Sequence, residues 1–171
     1  MVISDSKLRS DRLVFYTRDV ARMDGEIDGF LELSGARCAL LIDREGHLVT
    51  RRGEAVHTTS LDSVAALVAG SFAATREMAR LLGEEQFSAL FHQGQRDSIQ
   101  ISLVDDRALL AVVFDQRTNL GLVRYYAVET TRRLSTVLSE VAARSARGET
   151  AGEEIANDFS SSASAALDKL F

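Results

Sequence analysis

Residues Phe114 to Arg124, F-D-Q-R-T-N-L-G-L-V-R, carry the chain from a buried strand into an amphipathic helix, and the rest of the sequence is organised around that junction. Immediately upstream, Ala108 to Phe114 (A-L-L-A-V-V-F) is a nearly continuous apolar run of strand length, the pattern of a central strand covered on both faces. Asp115 to Asn119 then offer only turn and helix-capping chemistry. Thr118 or Asn119 can accept a hydrogen bond from the free amides that open the next helix. In that helix Leu120, Val123, Ala127, Leu134, Val137, Leu138 and Val141 recur at helical spacing. The last strand therefore feeds a long helix.

Working back from the junction, Ser98 to Val104 alternates, with Ile99, Ile101 and Leu103 on one side, and Asp105-Asp106-Arg107 turns the chain into the central strand. Ala89 to His92 has the length of a further short strand. Before it, Leu61 to Leu82 carries a helical period through Leu61, Val64, Val68, Phe72, Thr75, Ala79 and Leu82. Capping candidates Thr58, Thr59 and Ser60 precede it and Gly83 follows. Cys38 to Ile42 and His47 to Arg52 flank Asp43-Arg44-Glu45-Gly46 and read as a hairpin. Val20, Met23, Ile27, Phe30 and Leu31 mark a first helix from Thr17, ended by Ser34-Gly35, and Leu13 to Tyr16 reads as a short strand or an anchor. Helix, two strands, helix, three strands, helix, with tight turns between strands, favours an antiparallel sheet: an α+β fold or a three-layer sandwich, not a doubly wound parallel sheet.

The ends differ from this middle. Residues 1–12 are polar and without period, the composition of a flexible N-terminus. The domain proper spans 13–144, and 145–152 (A-A-R-S-A-R-G-E-T-A-G runs through it from Ala142) has linker composition. Residues 153–171 place Ile155, Phe159, Ala163, Ala166, Leu167 and Leu170 on one helical side, ahead of the terminal Phe171. Glu153, Glu154 and Asp158 stand early and Lys169 late, as the helix dipole favours. Such a C-terminal amphipathic helix is either a docked cap or a partner-binding element.

A chain of 171 residues buries enough surface, about 70% of that of the unfolded chain, to need no disulfide or metal staple. Its one cysteine, Cys38, opens an apolar strand and reads as an inert buried thiol, and the cysteine usage fits the cytoplasm. A net charge of -5 argues against general attraction to nucleic acid or anionic lipid, and no apolar run is long enough to insert in a membrane. His47, His57 and His92 lack metal-ligand spacing, so no metal is expected. Phosphate-cradling glycine loops and a G-x-S-x-G elbow are absent, so no cofactor is implied and an active site of its own is not expected.

The feature that asks for a partner lies on the Leu61 to Leu82 helix. Ala66, Ala69, Gly70 and Ala73, then Glu77, form a stripe of small residues ending in a charge. Glycine inside a helix costs about 1 kcal/mol relative to alanine, so Gly70 is either tolerated on an Ala-rich surface or marks a close helix contact.

Several separated motifs resemble the Roadblock/dynein light chain superfamily, in its bacterial MglB branch. They are L-V-F-Y (Leu13 to Tyr16), T-T-S-L (Thr58 to Leu61), A-R-L-L-G-E (Ala79 to Glu84), F-H-Q-G (Phe91 to Gly94), Asp97-Ser98, the Phe114 to Arg124 stretch, and the terminal A-L-D-K-L-F. The resemblance implies a Roadblock-like three-layer α/β/α sandwich with a mostly antiparallel five-stranded sheet. It implies a homodimer whose second helices pair and whose sheets join, and a partner, an MglA-like Ras-family GTPase. The partner's hydrolysis would be stimulated without an inserted arginine, in the control of cell polarity and motility, with a cell pole as one expected location. Carried over by position, the GTPase-contacting small positions fall on Ala73 and on Glu77, where the family often has Gly. A basic position falls on Arg22, and a Lys-rich pair is replaced by Val128-Glu129. Arg76, Arg80, Arg117 and Arg124 are geometrically possible arginine fingers, Arg76 and Arg80 flanking the stripe, but each reads first as a surface or N-terminal helix contact. The tail resembles the family's C-terminal helix, which contacts the GTPase away from the stripe and influences nucleotide exchange.

Overall fold

A computed structural model describes residues 13–55 and 60–147. The N-terminal dozen, His57, the capping candidates Thr58 and Thr59, most of the expected linker and the expected C-terminal helix with Ile155, Phe159, Leu167, Leu170 and Phe171 lie outside the described residues. The elements run α1 (Thr17–Ser34), β1 (Cys38–Asp43), β2 (Leu48–Gly53), α2 (Leu61–Leu82), β3 (Ala89–Gln93), β4 (Ser98–Val104), β5 (Ala108–Phe114) and α3 (Leu120–Ala146). The strands form a five-stranded sheet in the order β2-β1-β5-β4-β3, and every neighbouring pair is antiparallel.

Strand β5 is buried along its whole length, as its unbroken apolar run requires, and stands in the middle of the sheet. Strand periodicity then divides the core. Cys38, Leu40 and Ile42 of β1 pair in register with Val113, Ala111 and Leu109 of β5, and with Ile101 of β4 they face the Ala65, Val68 and Phe72 side of α2. The other parity carries Thr50 and Arg52 of β2, Leu41 of β1, Leu110 of β5 and Gln100 of β4. On that face Thr50 donates to Asp24 (2.5 Å) and Arg52 to Asp28 (2.8 Å) of α1, while Arg124 of α3 reaches Gln100 at 3.4 Å. One helix covers one face and two cover the other, which makes the three-layer α/β/α sandwich. Met23, Ile27 and Phe30 of α1 are fully or almost fully buried, each side chain contributing about 1.5–3 kcal/mol.

The helix ends follow from local chemistry. Ser60 caps α2 by accepting from the Ser63 amide at 3.2 Å, and Gly83 closes it at φ 74°. At the Phe114–Arg124 junction the two capping candidates divide the work. Asn119 accepts from the Leu122 amide (3.0 Å), and the Thr118 hydroxyl donates to the Ser34 carbonyl (2.6 Å), tying the end of α1 to the start of α3. Leu13 to Tyr16 forms no strand. Tyr16 is instead the N-cap of α1, its amide donating to the Asp19 carboxylate at 2.9 Å, because an acid at that position satisfies a free amide of the first turn. Leu82, assigned by period to the buried side of α2, is 72% exposed in the last turn.

Tyr16–Leu138 forms one compact unit. The described part of the second consists of residues 13–15 with 139–147, where Arg144 donates to the Val14 carbonyl at 3.5 Å. Among the described residues no helix is long and apolar enough to cross a membrane.

Candidate functional site

Helix α2 buries Ala65, Val68, Phe72, Thr75 and Ala79 and turns its remaining surface outward. The small-residue stripe lies on one flank of that surface and splits into two halves with different causes. Near its start the β1–β2 turn comes down onto it: a Cβ at Gly46 (φ 92°) would stand 3.1 Å from the Ala66 Cα and 3.4 Å from the Ala69 Cβ. Ala66 and Ala69 are therefore small because the chain's own hairpin packs there. Further along, Gly70, Ala73 and Glu77 are exposed, and a Cβ at Gly70 would meet nothing within 4 Å. Nothing among the described residues explains a helix-interior glycine at that point.

Beside the stripe runs a second feature that reasoning from the sequence missed. Leu67, Met78 and Leu81 are 71%, 51% and 70% exposed, with the exposed Ala74 between them. Leu67, Ala74 and Leu81 follow one another at seven-residue intervals, the repeat of a helix-pairing seam. That interval was visible in the sequence, but the stronger core period of the same helix masked it.

The charged end of the stripe forms a groove of about 450 Å³ lined by Ala73, Arg76, Glu77, Arg80, Glu85 and Gln86. Glu77 and Arg80 are locked together, with Arg80 Nε 3.0 Å and Nη2 2.5 Å from the carboxylate oxygens. That contact holds the Glu77 carboxyl below its ordinary value. Arg76 has no hydrogen bond or ion pair among the described residues.

The other arginines that could reach a nucleotide are occupied. Arg117 donates to Glu54 (2.7 Å) and Asp115 (3.0 Å), in a network that Arg37 extends to Glu54 (3.1 Å) and Asp97 (2.6 Å). These contacts hold Glu54 down to about 2, the bond from Arg117 first and that from Arg37 second. Arg124 lies against Gln100. The network clamps the ends of β1, β2 and β5 and the β3–β4 turn, which is structural work.

Arg22 is not brought to the stripe. It lines a groove of about 340 Å³ between α1 and α3, with Gly25, Glu26, Arg133 and Thr136, across the sheet from α2. Val128 is exposed, and Glu129 pairs with Arg132 (2.8 Å) and Arg133 (3.0 Å). Cys38 is fully buried, and burial pushes its thiol up. Asp43, Glu45 and His47 do cluster in the hairpin turn, but the cluster is accounted for by the turn: Asp43 accepts from the amides of Glu45 and His47, both at 2.9 Å, and faces His47 Nδ1 at 3.0 Å.

The Roadblock/LC7 domain family matches residues 23–114. No curated protein sequence matches the chain. Among solved structures, an MglB with a tetrameric arrangement is 35% identical, with a TM-score of 0.71, over 75% of this chain and 96% of that one. The gliding protein MglB from Thermus thermophilus is 37% identical (TM-score 0.67) and Myxococcus xanthus MglB 32% (0.69), each over 75% of this chain and 96% of the other. A sheet of this order, flanked by these three helices and this similar to MglB chains over nearly their whole length, shows that the chain belongs to the Roadblock/LC7 family and is MglB-like.

Proposed function

We propose that the protein is a homodimeric regulator that binds a Ras-like GTPase of the MglA type and stimulates its GTP hydrolysis, without an active site of its own, in cytoplasmic control of polarity and motility. The observation that carries this reading is the uncovered outward surface of α2. Leu67, Met78 and Leu81 exposed along one helix form an apolar patch of the kind that supports an interaction surface, and Gly70 beside them permits close approach of a second helix. The seam serves α2–α2 pairing between protomers. The sheet edges fit the same arrangement: β2 carries Arg51 and Arg52, whereas β3 (A-L-F-H-Q) has no Lys, Arg, Asp or Glu to keep a second strand away.

Pairing along the seam, with Gly70 at its edge, leaves the flank of Ala73, Arg76 and Glu77 beside the dimer axis as the GTPase platform. Activation there works by selection: a surface that binds the hydrolysis-competent switch conformation more tightly than the resting one raises its population. Arg117 and Arg124 are engaged away from α2 and Arg80 is paired with Glu77, so Arg76 is the arginine that an inserted-finger route would use; hydrolysis that is still stimulated by Arg76→Gln would support selection instead. Arg22, across the sheet, then serves as a separate contact point. The C-terminal segment through Ile155, Phe159, Leu167, Leu170 and Phe171, expected from its sequence to be an amphipathic helix, would make a further contact that tunes nucleotide exchange. Deleting residues 149–171 is expected to preserve the dimer while changing the exchange rate, read with a fluorescent nucleotide; identical kinetics would remove the tail from this role.

The direct test is Ala73→Arg. A guanidinium in the stripe is expected to abolish binding to an MglA-like GTPase loaded with a non-hydrolysable GTP analogue, with the circular dichroism spectrum unchanged; unaltered affinity would displace the platform. The Glu77–Arg80 pair on that platform favours one alternative, a Roadblock scaffold that binds a GTPase, or another Roadblock protein, without activating it.

A further inference from the structure

The charged groove at the C-terminal half of α2 holds four ionic side chains in two different states. Glu77 and Arg80 satisfy each other. Arg76 on α2 and Glu85 beyond the Gly83 cap have no ion-pair partner among the described residues. The groove is thus neutral in sum but bipolar in what it offers. It presents one free cation and one free anion, while a second cation is folded back on a second anion.

We propose that this groove determines which GTPase the platform accepts: it takes a partner segment that presents a carboxylate to Arg76 and a basic side chain to Glu85, and Glu77 acts as a latch that withholds Arg80 from the partner. This rests on the GTPase-binding reading above and specifies its partner chemistry. The Arg80 guanidinium is a planar fork, and using two of its nitrogens on Glu77 leaves its best geometry for a partner carboxylate already taken. Arg80 and Glu77 side chains are 69% and 57% exposed, so the latch is solvated and weak, a matter of about fivefold in an equilibrium at most. It can therefore bias partner choice without committing the fold.

Charges at the edge of a contact act chiefly on association rate and its salt dependence. The experiment is stopped-flow association of the full-length dimer with a GTPase of the MglA type loaded with a non-hydrolysable GTP analogue, from about 20 to 300 mM salt. Arg76→Gln and Glu85→Gln are each expected to slow association about tenfold at low salt and flatten its salt dependence, with the dissociation rate changed less than about twofold. Glu77→Gln is expected to speed association about threefold to fivefold by releasing Arg80, and the gain should vanish in Glu77→Gln/Arg80→Gln. A gain that persists without Arg80, or slower association in Glu77→Gln, would overturn the latch. Unchanged rates in both Arg76→Gln and Glu85→Gln would overturn the bipolar groove. If Ala73→Arg also binds normally, the platform itself is misplaced; if it abolishes binding while the groove variants do nothing, only the groove proposal fails.

Discussion

At the scale of single residues, the ion network around Glu54 has a definite pH signature. Its folded value of about 2 lies below the ordinary 4.5, so the network's contribution is fully present above 4.5 and is lost as pH falls toward 2. Glu54→Gln lacks that term. The wild-type melting temperature should therefore fall more steeply than the variant's between pH 4.5 and 2, and the two curves should run parallel above about 5. Equal slopes in the acid window would show that the network does nothing for folding. Glycine positions divide in the same way. Gly53 sits at φ 93°, where an added Cβ would collide with the Arg37 carbonyl and the Cys38 Cα, so Gly53→Ala is expected to cost about 1–3 kcal/mol in denaturant unfolding. Gly70→Ala meets nothing within the chain and should leave folding unchanged or better by up to about 1 kcal/mol. The sequence shows both only as glycines. What separates them is backbone geometry, which no local pattern encodes.

At the scale of elements, the three helices and the strands after residue 36 were legible, because each has a clean period and chemical punctuation at its ends. Ser60 and Gly83 bound α2, and Asn119 opens α3, through the hydrogen bonds their side chains and backbone make. Leu13 to Tyr16 left a short strand and an anchor both open because a short apolar run has no period long enough to tell a strand from a helix entrance, and Asp19 removes the strand reading only through a bond to the Tyr16 amide. The small-residue stripe was legible as a pattern but not in its causes. Half of it answers the Gly46 turn, a contact between residues distant in sequence, and half is open. The exposed seam of Leu67, Met78 and Leu81 gives α2 its testable role. Leu81→Asp puts a charge on that seam without touching the core. It should convert the dimer to monomer in light scattering while retaining a cooperative melt; a dimer that persists would move the interface elsewhere.

At the scale of the whole molecule, the sheet separates two surfaces that a linear reading treats as one site. Arg22 lies in the α1–α3 groove, while Ala73 and Glu77 lie on α2 across the sheet. A partner that uses both must therefore span two faces or engage two protomers, which under the proposed function would couple GTPase binding to dimerisation. Of the arginines beside the proposed platform, Arg80 is paired with Glu77 and Arg76 has no partner among the described residues, while Arg117 and Arg124 are engaged elsewhere; under the proposed function, activation is assigned to the selection of a switch conformation. That central claim is tested most directly by single-turnover GTP hydrolysis of an MglA-like GTPase from the same genome, with and without saturating full-length protein. The predicted result is acceleration of at least about tenfold, abolished by Ala73→Arg with the dimer intact. Tight binding with no acceleration would contradict it.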